Sequence, residues 1–219
     1  MNSPIILALD GLDRSTSLAL ARETAGLVWG YKIHELVLRE GLTVIGELKK
    51  YGKVFVDFKF HDIPTTVQYE VAALYSSGVD LVSVHASGGS AMLEAAVRIG
   101  GNSVVAITLL SSFSEEEVAK IYDKKIETLV AESVRRATDA GIQHIVCSPH
   151  EIELVKSITP TCTVITPGIR EHSTEDDQSR SLSAHEALGR GADLLVIGRP
   201  ITKTLNPREA LTQVVATLN

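Results

Sequence analysis

Three charged residues within a span of six stand where a buried strand should end. Asp57, Lys59 and Asp62 follow the apolar run at 54–56. Because side chains alternate between the two faces of a strand, Asp57 and Lys59 are predicted to point to the same face. An isolated charge in a dry interior is costly, so the three groups are expected to pair with one another and stay open to a ligand. The spacing Asp-x-Lys-x-x-Asp therefore predicts a charged reaction site at a strand tip, with a structural ion pair as the plain alternative.

The elements that would position these charges recur along the chain. Short β-branched runs alternate eight times with longer amphipathic stretches, which predicts a closed (β/α)8 barrel as one catalytic domain over residues 1–219. The predicted strands are 5–10, 28–33, 54–59, 81–85, 103–109, 144–147, 163–166 and 194–197. The connection 111–143 has room for two helices, and 206–218 supplies the last helix. A doubly wound open sheet is the competing fold, but it usually has a glycine-rich turn after its first strand, which 9–13 lacks.

Composition excludes several other classes of protein. A net charge of −6 without a basic run argues against a nucleic-acid-binding surface. No apolar stretch approaches the roughly 20 residues that a membrane helix needs. Two cysteines, Cys147 and Cys162, and the absence of an apolar leader favour a reducing compartment, so a cytoplasmic enzyme is expected.

Two later segments could bind a phosphate group. Pro167-Gly168-Ile169-Arg170 follows the seventh predicted strand, and Gly198-Arg199 follows the eighth. Loops seven and eight of such barrels often bind phosphate, because glycine lets backbone amides approach the oxygens and a guanidinium offers paired donors. Either segment alone is usually a turn beside a solvated charge. Together with the strand-three motif they predict a phosphate cradle on the same rim.

The segment Asp57 to Thr66 matches the pattern Asp-x-Lys-x-x-Asp-Ile-Pro-x-Thr, and in it the chain resembles the orotidine 5′-monophosphate decarboxylase family. The resemblance implies cofactor-free decarboxylation of orotidine 5′-monophosphate to UMP, the last step of de novo pyrimidine nucleotide biosynthesis. Lys59 would protonate the C6 carbanion, and Asp57 and Asp62 would favour its charged form. Lys32 would extend the set to Lys-Asp-Lys-Asp.

The same resemblance implies further substrate contacts. Asp10 and Lys32 would hold the ribose hydroxyls, and Ser111 would contact the pyrimidine. In loops seven and eight, the resemblance implies a site for the substrate's 5′-phosphate. Its residues are Pro167, Arg170, Gln178, Gly198 and Arg199. The polar stretch between 170 and 178 would form a lid.

A homodimer with two shared sites is also implied. Asp62, Ile63 and Thr66 lie beyond strand three on the rim, where a two-fold interface could carry them into the neighbour's barrel. The alternative within one chain is that Asp62 caps the following helix.

Other enzyme classes stay open beside this one. Metal-dependent relatives act on sugar phosphates, such as 3-keto-gulonate 6-phosphate, and carry a carboxylate on strand two for Mg²⁺. This chain has Lys32 there, and an ammonium group repels a divalent ion, which favours the metal-free branch. A different phosphate-binding barrel enzyme and a catalytically silent barrel are the remaining alternatives.

The histidines predict no metal site, because none has a spacing such as His-x-x-x-His with a carboxylate. His61, inside the motif, is expected to serve packing or an interface, and His85 could hydrogen-bond within the rim. His34 stands where the resembling family commonly has glycine, and it could alter rim packing.

Overall fold

Eight parallel strands close into a barrel in the computed structural model, which describes residues 3–170 and 182–218. The strands follow chain order around the barrel, and the first pairs with the last. They are β1 (Ile5–Ala8), β2 (Gly30–Ile33), β3 (Lys53–Phe60), β4 (Leu81–His85), β5 (Val104–Ile107), β6 (His144–Val146), β7 (Thr163–Thr166) and β8 (Leu194–Ile197). The predicted (β/α)8 barrel is confirmed.

Helices connect the strands on the outside of the barrel. They are α1 (Arg14–Thr24), α2 (Glu35–Glu40), α3 (Thr43–Leu48), α4 (Pro64–Ser76), α5 (Ser90–Gly100), α6 (Glu115–Tyr122), α7 (Ile126–Asp139), α8 (Ile152–Ile158), α9 (Ala184–Gly189), α10 (Arg199–Thr202) and α11 (Pro207–Ala216). The connection 111–143 holds two helices, α6 and α7, as predicted. In the described ranges no helix has the length and apolar character needed to cross a membrane.

Three predicted strands were too long at their carboxyl ends, by one residue at 144–147, where β6 ends at Val146, and by two residues in each of the others. The run 5–10 forms a strand only to Ala8, and 103–109 only to Ile107. One further amide still pairs in each case, since Leu9 N donates to Lys32 O and Thr108 N donates to Val146 O. Beyond these bonds the chain leaves the sheet, so that Asp10 lies in a loop at the mouth of the barrel rather than in β1.

Apolar side chains cover both faces of the barrel wall, the inner face and the face beneath the helices. Successive residues of a strand point to opposite faces of the barrel wall. Ile6 therefore lies inside the barrel, while Ile5 and Leu7 pack beneath the helices. The interior cluster consists of Ile6, Ala8, Phe55, Leu81, Val105, Ile107, Val146, Ile165, Leu194 and Val196. Cys147 and Cys162 are free, buried thiols of the outer core, as expected. Because apolar side chains fill the interior, a polar reaction site has to lie at the mouth of the barrel.

The same aspartate arrangement fastens two opposite sides of the barrel. Asp80 directly precedes β4 and Asp193 directly precedes β8. In each case the aspartate amide donates to a valine carbonyl of the preceding strand, and the carboxylate accepts from the amide of that same valine. The bonds to the carboxylates come from Val54 N (2.8 Å) and Lys49 Nζ (2.9 Å) for Asp80, and from Val164 N (2.7 Å) and Lys156 Nζ (2.8 Å) for Asp193.

Replacing Asp193 with alanine should lower the free energy of unfolding by about 1–3 kcal/mol, because the buried amide of Val164 loses its acceptor. The ion pair to Lys156 should matter less, since the Asp193 side chain is 45% exposed. Asp193→Asn keeps an acceptor oxygen and removes the charge, so its loss should stay below about 1 kcal/mol. Urea unfolding of both variants measures this. Equal losses would show that the charge, and not the backbone bond, stabilises this end of the barrel.

Candidate active site

The tip of β3 departs from regular strand pairing where its charged residues lie. Val56 pairs with Val82 of β4, but the next pair joins Phe60 to Val84, so four steps along β3 match two along β4. Lys59 within this bulge has a φ of +56°, a conformation that a residue with a side chain seldom adopts. Strict alternation therefore does not extend to Lys59. The bulge nevertheless brings its side chain to the same cavity as Asp57, as predicted.

Four side chains of alternating charge lie across the mouth of the barrel. Lys59 Nζ lies 2.8 Å from Asp57 Oδ2, and Lys32 Nζ lies 3.4 Å from the same oxygen. Lys32 Nζ is also 2.8 Å from Asp10 Oδ2. The sequence of charges is thus Asp10, Lys32, Asp57 and Lys59. β2 and β3, with the loop after β1, bring these residues together.

The neighbouring charges shift the pKa values of Asp57 and Lys32, the two central groups of the network, in the directions that favour their charged forms. Burial raises the pKa of Asp57, which is 8% exposed, but the ammonium groups of Lys32 and Lys59 reverse this and hold its pKa below the ordinary 3.8. Burial lowers the pKa of Lys32, and the carboxylates of Asp57 and Asp10 more than compensate, so its pKa lies above 10.5. An ion network of this kind can therefore remain buried beside a substrate.

Asp62 does not join this network within one chain. It is exposed, and among the described residues it forms no ion pair with Lys59 or Lys32. Its Oδ1 instead accepts a hydrogen bond from Ile63 N at 2.6 Å, just before α4. The expectation that all three charges of the motif pair with one another is therefore wrong for a single chain, because the turn from Phe60 to Pro64 carries Asp62 to the outer rim.

A cavity of about 210 Å³ opens beside the network. Lys32, Asp57 and Lys59 form its charged wall. Apolar side chains complete the lining of the cavity, and these include Phe55, Ile107, Leu109, Leu110, Val146 and Val196. Ser111 also lines the cavity, and its contact with a pyrimidine stays a prediction. The cavity can enclose a flat ring with one edge against the Lys59 ammonium.

A second cavity of about 380 Å³ adjoins the first through Lys32, Pro167 and Val196, which line both. It is bounded by the predicted residues Asp10, Arg170, Gly198 and Arg199, together with Gly11 and Gly168. Gly168 has a φ of +79°, which requires glycine, and a Cβ at position 198 would lie 3.3 Å from the Ala8 Cβ. The predicted cradle residues are thus brought together, except Gln178, which lies outside the described residues. Two adjoining spaces of this size suit a small nucleotide.

Two contacts were missed by sequence reasoning. Ser83 Oγ accepts a hydrogen bond from Lys59 N and donates one to Asp57 Oδ1, both at 2.8 Å. His34 Nδ1 lies 2.7 Å from Asp57 O. A serine at an inward-facing position of the apolar strand β4 was the available signal for the first. For the contact of His34 with Asp57 O, the only signal was the presence of a histidine directly after β2.

His85 lies in a polar cluster on the rim next to Lys59. Its Nδ1 accepts a 2.6 Å hydrogen bond from Ser87 Oγ, as expected of a rim residue, and its ring lies 5.6 Å from that of His61. Burial, assisted by His61 and Lys59, lowers the pKa of His85. His85 is therefore held in its neutral form near the reaction site.

Comparison with known proteins adds independent findings. The family model described as orotidine 5′-phosphate decarboxylase / HUMPS family matches residues 3–214. A protein of Dichelobacter nodosus named orotidine 5′-phosphate decarboxylase is 40% identical over 227 residues, covering 99% of both chains. One of the same name from Pseudomonas fluorescens is 38% identical, covering 99% of this chain and 97% of its own. The solved structure of orotidine 5′-phosphate decarboxylase from Lactobacillus acidophilus superposes with a TM-score of 0.82 at 28% identity, covering 100% of both chains.

Substituting Lys32 by methionine should change how stability depends on pH. In the wild type the lowered pKa of Asp57 contributes stability above the unfolded value of about 3.9, which is lost as the pH falls through the folded pKa. Without Lys32, burial should dominate and raise the pKa of Asp57. As the pH rises from about 4 to about 7, the free energy of unfolding of the variant should therefore decrease relative to that of the wild type.

Urea unfolding at both pH values measures this difference. Lys120→Met, on the exposed face of α6, supplies the baseline for losing one lysine. A Lys32→Met difference that is the same at both pH values would show that Lys32 does not control the ionisation of Asp57.

Proposed function

This chain belongs to the orotidine 5′-phosphate decarboxylase / HUMPS family, and on that premise we propose that it decarboxylates orotidine 5′-monophosphate to UMP at the mouth of the barrel. The family resemblance read from Asp57 to Thr66 is confirmed. The relatives' shared name favours this reaction over the sugar-phosphate alternative. The observation that carries the proposal is the alternating charge network between an apolar cavity and an arginine-lined one.

The reaction needs a group that stabilises negative charge at C6 and then supplies a proton. With the pyrimidine in the first cavity, the electron pair of the breaking C6–carboxylate bond stays on C6 while CO2 leaves. The Lys59 ammonium stabilises that pair and donates its proton to form the C6–H bond, after which solvent reprotonates the amine. Asp57 Oδ2 lies 2.8 Å from Lys59 Nζ and accepts a hydrogen bond from it, which holds the ammonium in place. The apolar side chains that line the same cavity lower the local dielectric and so strengthen the attraction between the Lys59 ammonium and the negative charge at C6.

The remaining predicted contacts fit this orientation. Lys32 lines both cavities and Asp10 lines the second, so that the pair lies where a ribose would join base and phosphate and would bind its hydroxyls. Arg170 and Arg199 line the second cavity and would bind the 5′-phosphate. Ser111 would contact the pyrimidine. Phosphate binding far from C6 would help to orient the base against Lys59.

The position of Lys32 supports a reaction without a metal ion. Its ammonium lies 2.8 Å from Asp10 and 3.4 Å from Asp57, so a cation of the protein itself occupies the space between these carboxylates. Within residues 3–170 and 182–218, no group of three or more histidine, cysteine, aspartate or glutamate side chains is arranged to hold a metal ion. A cofactor-free reaction stays a prediction, which chelation tests.

Incubating the pure protein with orotidine 5′-monophosphate and EDTA tests the function. The absorbance of the substrate should fall as UMP forms, at the same rate with and without the chelator. If EDTA abolishes turnover and Mg²⁺ restores it, the metal-dependent alternative is correct. If the substrate is not consumed under either condition while 3-keto-gulonate 6-phosphate is, the proposed substrate is wrong.

We also propose that the working unit is a homodimer whose sites are shared. Asp62 has no cationic partner among the described residues of its own chain. Two large apolar side chains near it are open to solvent, Ile63 at 66% and Tyr69 at 71% exposure. A two-fold contact through this surface would cover both and bring Asp62 and Thr66 to the partner's Lys59. The bond from Ile63 N to Asp62 Oδ1 is compatible with this role, whereas it does not cap the helix, because Ile63 is the N-cap of α4 and no side chain makes a cap hydrogen bond there.

We expect the enzyme to work in the cytoplasm with a small nucleotide as its substrate. Both cysteines are buried free thiols, as a reducing compartment allows. Burial raises the pKa of Cys147 and of Cys162, which makes them unreactive. The acidic net charge of −6 gives no support to a nucleic-acid partner.

Mixing two inactive variants tests the shared site. Asp62→Ala and Lys59→Ala subunits that exchange should form heterodimers in which one site carries both defects and the other carries none. Activity should rise towards about half the wild-type value per heterodimer, as two-fold symmetry requires.

The matched control mixes Lys59→Ala with Lys32→Met, two defects on the same side of the interface. Every site in that heterodimer keeps one defect, so activity should not recover. If exchange is demonstrated and the Asp62 mixture also stays inactive, Asp62 acts within its own subunit.

A further inference from the structure

The bulge in β3 removes two backbone groups from the regular strand ladder. Regular pairing with β2 ends at the pair Ile33 and Val56, and pairing with β4 resumes only at Phe60. The amide of Lys59 and the carbonyl of Asp57 lie between these points. Two side chains bind them instead, since Ser83 Oγ accepts from Lys59 N at 2.8 Å and His34 Nδ1 lies 2.7 Å from Asp57 O. The tip of β3 is thus held from both neighbouring strands.

Ser83 is the more deeply buried of these two residues. It is 0% exposed and lies on the inward face of β4, the same face as Leu81. Its single hydroxyl accepts from the Lys59 amide and donates to Asp57 Oδ1 at 2.8 Å. One side chain therefore fixes the backbone of the proposed proton donor and the carboxylate that holds its ammonium.

His34 completes the arrangement from the β2 side. A carbonyl oxygen only accepts, so Nδ1 of His34 carries the proton and donates to Asp57 O. Its ring packs edge-on against Phe58 at a centroid distance of 5.3 Å, which orients the imidazole.

We propose that Ser83 and His34 are positioning residues that hold the β3 bulge and thereby place the Lys59 ammonium for proton transfer. This inference rests on the proposed function, because it assigns Lys59 the role of proton donor. The left-handed backbone of Lys59 persists only when its surroundings fix it. Without Ser83 the Lys59 amide would be left unpaired, and relaxation of the backbone would shift Nζ, where displacement by about 1 Å can cost on the order of a hundredfold in rate.

Ser83→Ala should lower kcat by roughly tenfold to a hundredfold and leave KM within about twofold, because the substrate contacts remain while the donor is displaced. Ser17→Ala is the matched control. Ser17 is also 0% exposed, and its hydroxyl has no hydrogen-bond partner among the described residues. This control should keep wild-type kcat. At the second position, His34→Asn retains a donor and should keep more activity than His34→Gly, and this pair remains informative if Ser83→Ala does not fold.

Amide hydrogen exchange in the free protein gives a readout that does not require the proposed substrate. The Lys59 amide should exchange faster in Ser83→Ala than in wild type and be unchanged in Ser17→Ala. Failure of the wild-type protein to consume orotidine 5′-monophosphate would overturn the proposed function. The exchange rates would then still show whether Ser83 holds the Lys59 amide. If wild type is active, the positioning role is overturned by a Ser83→Ala kcat within about twofold of wild type, or by unchanged exchange at Lys59.

Discussion

The site depends on the mutual neutralisation of buried charges at the mouth of the barrel. Asp57 is almost fully buried, and its carboxylate is tolerated because two ammonium groups approach the same oxygen. Lys32 is tolerated in turn because carboxylates lie on both sides of it. Removing any inner member would leave an uncompensated charge beside it. The network is therefore a single unit, and the fold must present all of its members at once.

A parallel barrel meets this requirement through its register. Lys32 lies beside Ala8 of β1 and beside Phe55 of β3, so residues just beyond those positions, Asp10 and Asp57, flank its ammonium. The interior below is filled with apolar side chains, which confines polar chemistry to the carboxyl ends of the strands. Loops seven and eight reach the same rim and add Arg170 and Arg199. The sites proposed for base, ribose and phosphate thus follow from one geometric rule.

Part of this arrangement could be predicted from the sequence, and the remainder could not. Eight apolar runs predicted the barrel, and the charges at the ends of strands one to three predicted the network, because both follow from local pattern and parallel order. The bulge at Lys59 was not predictable, since lysine gives no local signal for a positive φ. The contacts of Ser83 and His34 depend on that bulge and were missed with it. Asp62 was expected within the network, but the turn before α4 separates it from Lys59 in one chain.

Lys59 is proposed to be both the electrostatic partner of C6 and its proton donor. Steady-state turnover of orotidine 5′-monophosphate by a Lys59→Ala variant tests this assignment most directly. Lys120→Ala, which removes an exposed lysine of α6, is the matched control and should keep wild-type activity. Loss of both functions of Lys59 should reduce kcat by more than about ten-thousandfold in a folded protein. A loss smaller than about tenfold, worth roughly 1.4 kcal/mol, would contradict the assignment of Lys59 as the group that stabilises and protonates C6.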